Sequence, residues 1–114
     1  MAKAPNRDTL FLVEPGFHTN EGGPFYCNDC VPIEGFLSLF PQVRDAIDVQ
    51  HVKVERPRAP VVAWLGEDHQ SLPALVLAEG AEGIFKTVDG VAYLDDQAEI
   101  RTYLSQSYGV ASQA

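Results

Sequence analysis

The sequence of 114 residues predicts one α/β domain, a four-stranded mixed sheet with helices on both faces in the order β-α-β-α-β-β-α. Three observations lead to this prediction. Short apolar runs suited to strands alternate with amphipathic runs suited to helices. Asp89 and Gly90 form a strong signal for a hairpin turn between two further apolar runs. The two cysteines, Cys27 and Cys30, lie between the first predicted strand and the first predicted helix.

The first strand is predicted at Thr9–Val13 and the second within residues 47–54. The first run is apolar on both sides, which is typical of a strand in the middle of a sheet, and the second alternates apolar and polar residues. Residues 14–26 separate the first strand from the cysteines. The glycines and prolines of this segment predict a long loop without regular structure.

The first helix is expected to begin within the C-x-x-C motif. With Asp29 as the N-cap, Cys30 is the first helical residue and Pro32 the third, where a proline removes no intrahelical hydrogen bond. Residues 33–40 then supply an apolar stripe at helical spacing. Pro41 is expected to end the helix or to begin a turn.

The second half of the chain is predicted to hold a short helix and two further strands. Pro60 suits the start of a helix at residues 61–65, which Gly66 closes. Residues 74–78 form the third strand. Of the two runs that flank the hairpin turn, residues 91–94 are favoured as the last strand of the sheet.

A final helix is predicted to begin at a capping box. Asp96 is its N-cap and Glu99 is the acid three residues later, which reaches back to the cap. Tyr108 and Gly109 end the helix. Residues 1–8 and 109–114 are expected to be flexible tails of a single domain.

The charge of the chain argues against two classes of partner. Sixteen acidic and eight basic residues give a formal net charge of -8, and such a surface should repel nucleic acids and anionic membranes. No apolar run approaches the roughly 20 residues needed to cross a bilayer. The N-terminus lacks the apolar core of a secretory signal. We therefore expect a cytoplasmic protein, in which cysteines are usually kept reduced and are reactive, metal-binding or simply buried.

Together these features resemble the thioredoxin-like superfamily. The resemblance is carried by Cys27-Asn28-Asp29-Cys30 after the first strand, by Leu72-Pro73 before the third and by the closing helix, and it spans residues 9–108. Residues 8–12, 25–27, 33–35 and 70–73 are more narrowly similar to a family of small bacterial thioredoxin-like proteins of unassigned function.

The resemblance implies a thioredoxin- or glutaredoxin-like thiol–disulfide oxidoreductase. Cys27 would be the exposed nucleophile and Cys30 the resolving thiol. The Leu72–Pro73 peptide is expected to be cis and to lie against the cysteines, where its loop would bind the backbone of a substrate. Phe25 and Tyr26, which precede the motif, either flank this groove, with Tyr26 as a binding residue, or cover the edge of the sheet. The substrate would be a protein or low-molecular-weight disulfide. No bound cofactor is implied, although glutathione is a possible co-substrate.

Other interpretations of the cysteines stay open at this stage. Asp29 opposes a thiolate beside it, and Asn28-Asp29 is the middle pair of neither thioredoxins nor glutaredoxins. The same fold without catalysis would be a binding module that takes a partner through the same groove. Two cysteines also supply half of a tetrahedral zinc site, for which His18, His51 and His69 are the candidate completing ligands.

Arg56 and Arg58 form the basic cluster of the sequence, in a predicted turn. We interpret them as solvated turn residues. The alternative is that they pair with a carboxylate of glutathione or of an acidic partner.

Overall fold

Seven strands form two sheets in the computed structural model, which describes residues 3–114. In chain order they are β1 (Thr9–Val13), β2 (Phe17–Thr19), β3 (Gly22–Phe25), β4 (Asp48–Val52), β5 (Ala74–Val76), β6 (Lys86–Val88) and β7 (Val91–Leu94). Five of them make a mixed sheet in the order β4-β1-β5-β7-β6, and β2 pairs with β3 as a separate hairpin. Strands β1 and β4 are parallel, whereas the other neighbours in the large sheet are antiparallel.

The large sheet has one strand more than the four that the sequence predicts. Both arms of the hairpin around Asp89 and Gly90 belong to it, since β7 pairs with β5 on one side and with β6 on the other. The prediction was wrong because it kept residues 91–94 alone. A three-residue strand at the edge of a sheet needs little apolar sequence, and β6 is largely exposed.

The loop predicted at residues 14–26 was also wrong, because β2 and β3 pair within it. Gly22 and Gly23 open β3 with φ angles of 120° and 139°. Residues with a side chain rarely adopt these angles, so the glycines permit this hairpin instead of preventing regular structure. The rings of Phe17 and Phe25 close its base, with their centroids 6.1 Å apart.

The described part of the chain forms four helices, of which the sequence predicts three. They are α1 (Val31–Leu39), α2 (Pro41–Ala46), α3 (Ala59–Leu65) and α4 (Gln97–Tyr108). Pro41, expected to end a helix or begin a turn, takes the first position of α2, where its missing N–H costs nothing. Helix α1 begins one residue later than predicted, so Cys30 and not Asp29 is its N-cap.

The alternation of side chains along β1 divides the core between the two faces of the sheet. Leu10 and Leu12 belong to one buried cluster and Phe11 to the other. Helices α1, α2 and α4 contribute to the first cluster, and α3 contributes to the second. Helices therefore cover both faces, as predicted. The helical side chains buried in the first cluster are Ile33, Phe36, Leu37, Val43, Ile100, Tyr103 and Leu104, and those in the second are Val61 and Leu65.

The ends of α4 follow the sequence prediction. The carboxylate of Asp96 accepts the N–H groups of Ala98 and Glu99 at 3.1 and 3.0 Å, and Gly109 ends the helix with a φ of 67°. None of the helices within residues 3–114 is long and apolar enough to cross a membrane.

Asp8 ties the two ends of the described chain together. Its side chain is buried, and its two carboxylate oxygens accept the N–H of Ala78 and the hydroxyl of Tyr108, each at 2.8 Å. Burial, followed by the hydrogen bond to Asp8 and the charge of Asp8, raises the pKa of Tyr108. The sequence prediction placed residue 8 in a flexible tail that begins at residue 1. Met1 and Ala2, the first two residues of that tail, lie outside the described residues.

We expect Gly23→Ala to loosen the β2–β3 hairpin. A Cβ at this position would lie 2.8 Å from the carbonyl oxygen of Phe17, on a backbone with a φ of 139°. Strain of roughly 1–3 kcal/mol should speed hydrogen exchange across residues 16–25 by at least about fivefold, measured by mass spectrometry. The control is Gly35→Ala, where the Cβ meets open space in α1 and should stabilise the protein by about 1 kcal/mol. If Gly23→Ala leaves hydrogen exchange in the hairpin unchanged, the conclusion that Gly23 is needed for the β2–β3 pairing is wrong.

Tyr108→Phe should lower the free energy of unfolding at neutral pH by about 1.5–3 kcal/mol, because it removes a hydrogen bond to a buried carboxylate. It should also reduce the loss of stability in alkali. The folded pKa of Tyr108 lies above its ordinary value of 10.0, so this contribution is complete below that pH and is lost as the pH rises past it. Urea denaturation from pH 7 to about pH 11 measures both effects. Tyr26→Phe, at an exposed tyrosine, is the control and should change neither.

Candidate functional site

The sheet brings three segments together at the carboxyl end of β1. Because β1 and β4 are parallel, their last residues, Val13 and Val52, lie side by side at one edge. Strand β5 runs the opposite way, with Ala74 opposite Phe11. Continuing that register by two residues places Leu72 opposite Val13. The segment that precedes β5 therefore reaches the same edge as the carboxyl ends of β1 and β4.

Cys30 lies at this edge as the N-cap of α1. Its N–H donates to the carbonyl of Cys27 at 3.2 Å, and its own carbonyl accepts the N–H groups of Ile33 and Glu34 at 3.1 and 3.0 Å. The tight turn from Cys27 into the helix thus fixes the backbone positions of the two cysteines relative to each other. Cys27 is partly exposed and Cys30 is buried, and both are free. One thiol is accessible to solvent and the other is sealed behind it.

Burial raises the pKa of Cys30 from its ordinary value of 9.0 to about 12. A hydrogen bond with the Cys27 side chain and the charges of Cys27 and Glu34 act in the same direction, and a hydrogen bond with the backbone of Val13 acts against them. Cys30 is therefore protonated at neutral pH. The site contains one accessible thiol in hydrogen-bonding contact with a second thiol that keeps its proton.

The Leu72–Pro73 peptide is cis, as predicted. Leu72 is half-buried and, like Cys27, packs against the cluster that contains Cys30, whereas Pro73 is buried. The structure thus brings these four predicted residues to one edge of the sheet. Since the ring of Pro73 is covered, a molecule bound here would meet the backbone and the side chain of Leu72 instead. The described chain also has cis peptides at Gly23–Pro24 and Arg56–Pro57.

Three exposed apolar side chains lie close to Cys27 along the chain. Phe25 and Tyr26 immediately precede Cys27 and are 39% and 64% exposed, and Val31 follows at 47%. The hairpin holds Phe25 against Phe17. We call Phe25, Tyr26 and Val31 the apolar rim of Cys27. Of these three residues, Tyr26 is the one that the sequence predicts to bind substrate.

The histidines do not complete a zinc site with the cysteines. Nε2 of His51 lies 2.9 Å from Oε2 of Glu34, and Nδ1 of His69 lies 3.4 Å from the hydroxyl of Tyr93. His18 is exposed on β2. Within residues 3–114, no group of three or more His, Cys, Asp or Glu side chains is placed to hold a metal ion. The geometry gives the zinc interpretation no support.

The interpretation of Arg58 as a solvated turn residue was wrong. Its side chain is partly buried and hydrogen-bonded to the main chain. Its Nε and Nη2 donate to the carbonyl of Val54 at 3.0 and 2.8 Å, and its Nη1 donates to the carbonyl of Gln70 at 2.7 Å. Both acceptors are main-chain atoms, which any residue would provide. For that reason the sequence contained no signal for these contacts.

The chain belongs to a family of unknown function. Residues 7–112 match the family described as "Protein of unknown function (DUF3088)". No curated protein and no solved structure matches the chain. The match includes every strand and helix from β1 to α4, and with them both cysteines and the Leu72–Pro73 peptide. The expectation of a family without assigned function is confirmed, and the thioredoxin-like part of that expectation stays a prediction.

In Cys27→Ser, the remaining thiol should titrate below about 12 but above its ordinary value of 9.0. The substitution removes the charge of Cys27 and alters the hydrogen bond with it, whereas burial, the largest cause, persists. The carbon-13 chemical shift of the Cys30 Cβ, followed against pH by nuclear magnetic resonance, measures the change. Glu34→Gln is a second variant that removes a smaller contribution and should lower the pKa of Cys30 less. A value at or below 9.0 in Cys27→Ser would show that burial does not control Cys30.

Proposed function

We propose that this member of the DUF3088 family is a thioredoxin-like thiol–disulfide oxidoreductase, with Cys27 as nucleophile and Cys30 as resolving thiol. The observation that carries the proposal is the unequal pair. Cys27 is partly exposed, whereas Cys30 is buried with a pKa raised to about 12. An accessible thiol in contact with a second thiol that is held protonated suits a two-step exchange, in which the second reacts only after the first.

The order of elements supports the thioredoxin-like part of the proposal. With β2, β3, α2 and β6 set aside, the chain runs β1-α1-β4-α3-β5-β7-α4. This is the order β-α-β-α-β-β-α that the sequence predicts and on which the thioredoxin-like resemblance rests. The elements set aside are one hairpin outside the large sheet, one short helix and one edge strand. They leave the cysteines at the start of the first helix and Pro73 directly before β5.

In the first step, the Cys27 thiolate attacks one sulfur of a substrate disulfide. A mixed disulfide forms as the substrate's own S–S bond breaks, and the departing sulfur takes the electron pair and then a proton from water. The first turn of α1 carries partial positive charge, which favours negative charge at its start. The apolar rim around Cys27 would hold the chain that flanks the substrate disulfide.

In the second step, Cys30 resolves the mixed disulfide. Once Cys27 is covalently bound to substrate, it carries no charge, so one of the causes that raise the pKa of Cys30 is lost. Cys30 then gives its proton to water, and its thiolate attacks the sulfur of Cys27 to form the Cys27–Cys30 disulfide, while the second substrate sulfur leaves with the electron pair of the broken bond and takes a proton. The substrate gains two electrons and two protons, and the dithiol loses them.

The substrate class we propose is a protein or low-molecular-weight disulfide. The mechanism needs no bound cofactor. An external thiol such as glutathione would return the Cys27–Cys30 disulfide to the dithiol by the same exchange in reverse. A reducing compartment such as the cytoplasm suits a site of this kind.

The test is turnover of insulin and of a small dialkyl disulfide by the wild type, Cys27→Ser and Cys30→Ser. We expect turnover in the wild type and a rate at the level of the uncatalysed reaction in Cys27→Ser. Cys30→Ser should lose turnover but accumulate a mixed disulfide on Cys27, seen as a mass increase that dithiothreitol removes. Ser107→Ala, an exposed serine of α4, is the control and should match the wild type.

Equal and negligible turnover in all four proteins, with no trapped adduct, would refute the oxidoreductase. It would favour the alternative of a non-catalytic thioredoxin-like binding module.

A further inference from the structure

Arg58 carries a positive charge that its own contacts do not balance. The three hydrogen bonds of its guanidinium go to carbonyl oxygens of Val54 and Gln70, which are neutral. None of the salt bridges within residues 3–114 includes Arg58. Carbonyl groups orient a guanidinium, but they do not cancel its charge as a carboxylate would. The field of this cation is therefore available to a neighbouring anion.

The anchors of Arg58 follow on from the edge of the sheet where the cysteines lie. Val54 lies two residues after Val52, which pairs with Val13 of β1, and Cys30 is hydrogen-bonded to the backbone of Val13. The carbonyl of Val54 holds Arg58 directly, and the carbonyl of Gln70, two residues before Leu72, holds it from the other side. The guanidinium thus spans the two segments that meet at the carboxyl end of β1.

The electrostatics agree with this placement. Burial and the neighbouring Arg56 lower the pKa of Arg58, and the charges of Cys27 and Cys30 act in the opposite direction. Such a coupling is reciprocal, because a thiolate that stabilises a cation is itself stabilised by that cation. Other charged side chains on the segments that meet here include Glu14, Asp29, Glu34, Lys53, Glu55 and Arg56, so carboxylates outnumber the other bases.

Gln70 makes the position of Arg58 rigid. It is 7% exposed, and its Oε1 accepts the backbone N–H of Arg58 at 2.7 Å. Its Nε2 donates to the carbonyl of Glu67 at 2.9 Å. A guanidinium has five N–H groups, of which three are used here, so two remain to face an anion. An arginine held in this way loses little further entropy when it acts on a charge.

We propose that Arg58 is the electrostatic partner of the Cys27 thiolate. It stabilises the negative charge on Cys27 before the attack on a disulfide, and again when Cys27 departs from a mixed disulfide. This role deepens the proposed function and rests on it for its use in catalysis. Cys30 is buried and protonated, so Cys27 is the sulfur whose thiolate Arg58 would stabilise.

The experiment follows alkylation of Cys27 by uncharged iodoacetamide from pH 5 to pH 10, in a Cys30→Ser background that leaves one thiol. Arg58→Gln should slow alkylation at pH 7 by about three- to tenfold and move the profile up by about half to one pH unit. Arg58→Lys keeps the charge and should recover most of the rate. Arg56→Gln removes the same charge from a neighbouring exposed residue and should stay within about twofold of the parent.

Two further measurements separate electrostatics from damage to the loop. Gln70→Met removes the side-chain brace but keeps the charge of Arg58, so its profile should shift less than that of Arg58→Gln. About 1 M salt should slow alkylation of the parent at pH 7 and leave Arg58→Gln nearly unchanged, because salt screens the charge. The salt effect on the parent also tests the proposal if Arg58→Gln does not fold.

If Arg58→Gln keeps the profile of the Cys30→Ser parent, or if Arg58→Lys slows alkylation as much as Arg58→Gln does, the role of Arg58 is overturned. In the parent, a rate that does not respond to salt would do the same. Alkylation requires no disulfide substrate. An Arg58-dependent profile in a protein without turnover would therefore refute the proposed function alone, and turnover with an Arg58-independent profile would refute this inference alone.

Discussion

The contact between the start of α1 and the carboxyl end of β1 determines the rest of the site. Hydrogen bonding between Cys30 and the backbone of Val13 places a thiol against the end of a fully buried strand. This contact seals Cys30, and the turn at Cys27 keeps the other thiol at the surface. Two cysteines in one motif therefore acquire different chemistry from their positions alone, since burial disfavours charge on one of them.

The same edge shows how main-chain geometry can assemble a site from distant segments. Parallel pairing with β4 and antiparallel pairing with β5 bring the segments after Val52 and before Ala74 beside the cysteines. Arg58 then joins those two segments through backbone carbonyls. The cation, the cis peptide and the thiols come from three parts of the chain, and the sheet register is what makes them neighbours.

Elements with a strong local signal could be predicted from the sequence. The strand at Thr9–Val13 and the cap at Asp96 were predicted as they are found, because uniform apolar character and an acidic N-cap are local properties. The hairpin of β2 and β3 was missed because glycine marks both loops and strands with unusual φ angles. The partners of Arg58 could not be predicted, because carbonyl oxygens are common to all residues. The Leu72–Pro73 peptide was predicted through a family resemblance and not from local sequence.

The tie between Asp8 and Tyr108 has a practical consequence, since it joins positions 100 residues apart in the sequence. A fluorescent donor and acceptor introduced beside these positions would be close together in the native protein and far apart once the chain opens. Energy transfer between them would then follow global unfolding from the end of β1 that is remote from the thiols. Oxidation or alkylation of the cysteines could be monitored on the same sample without interference between the two signals.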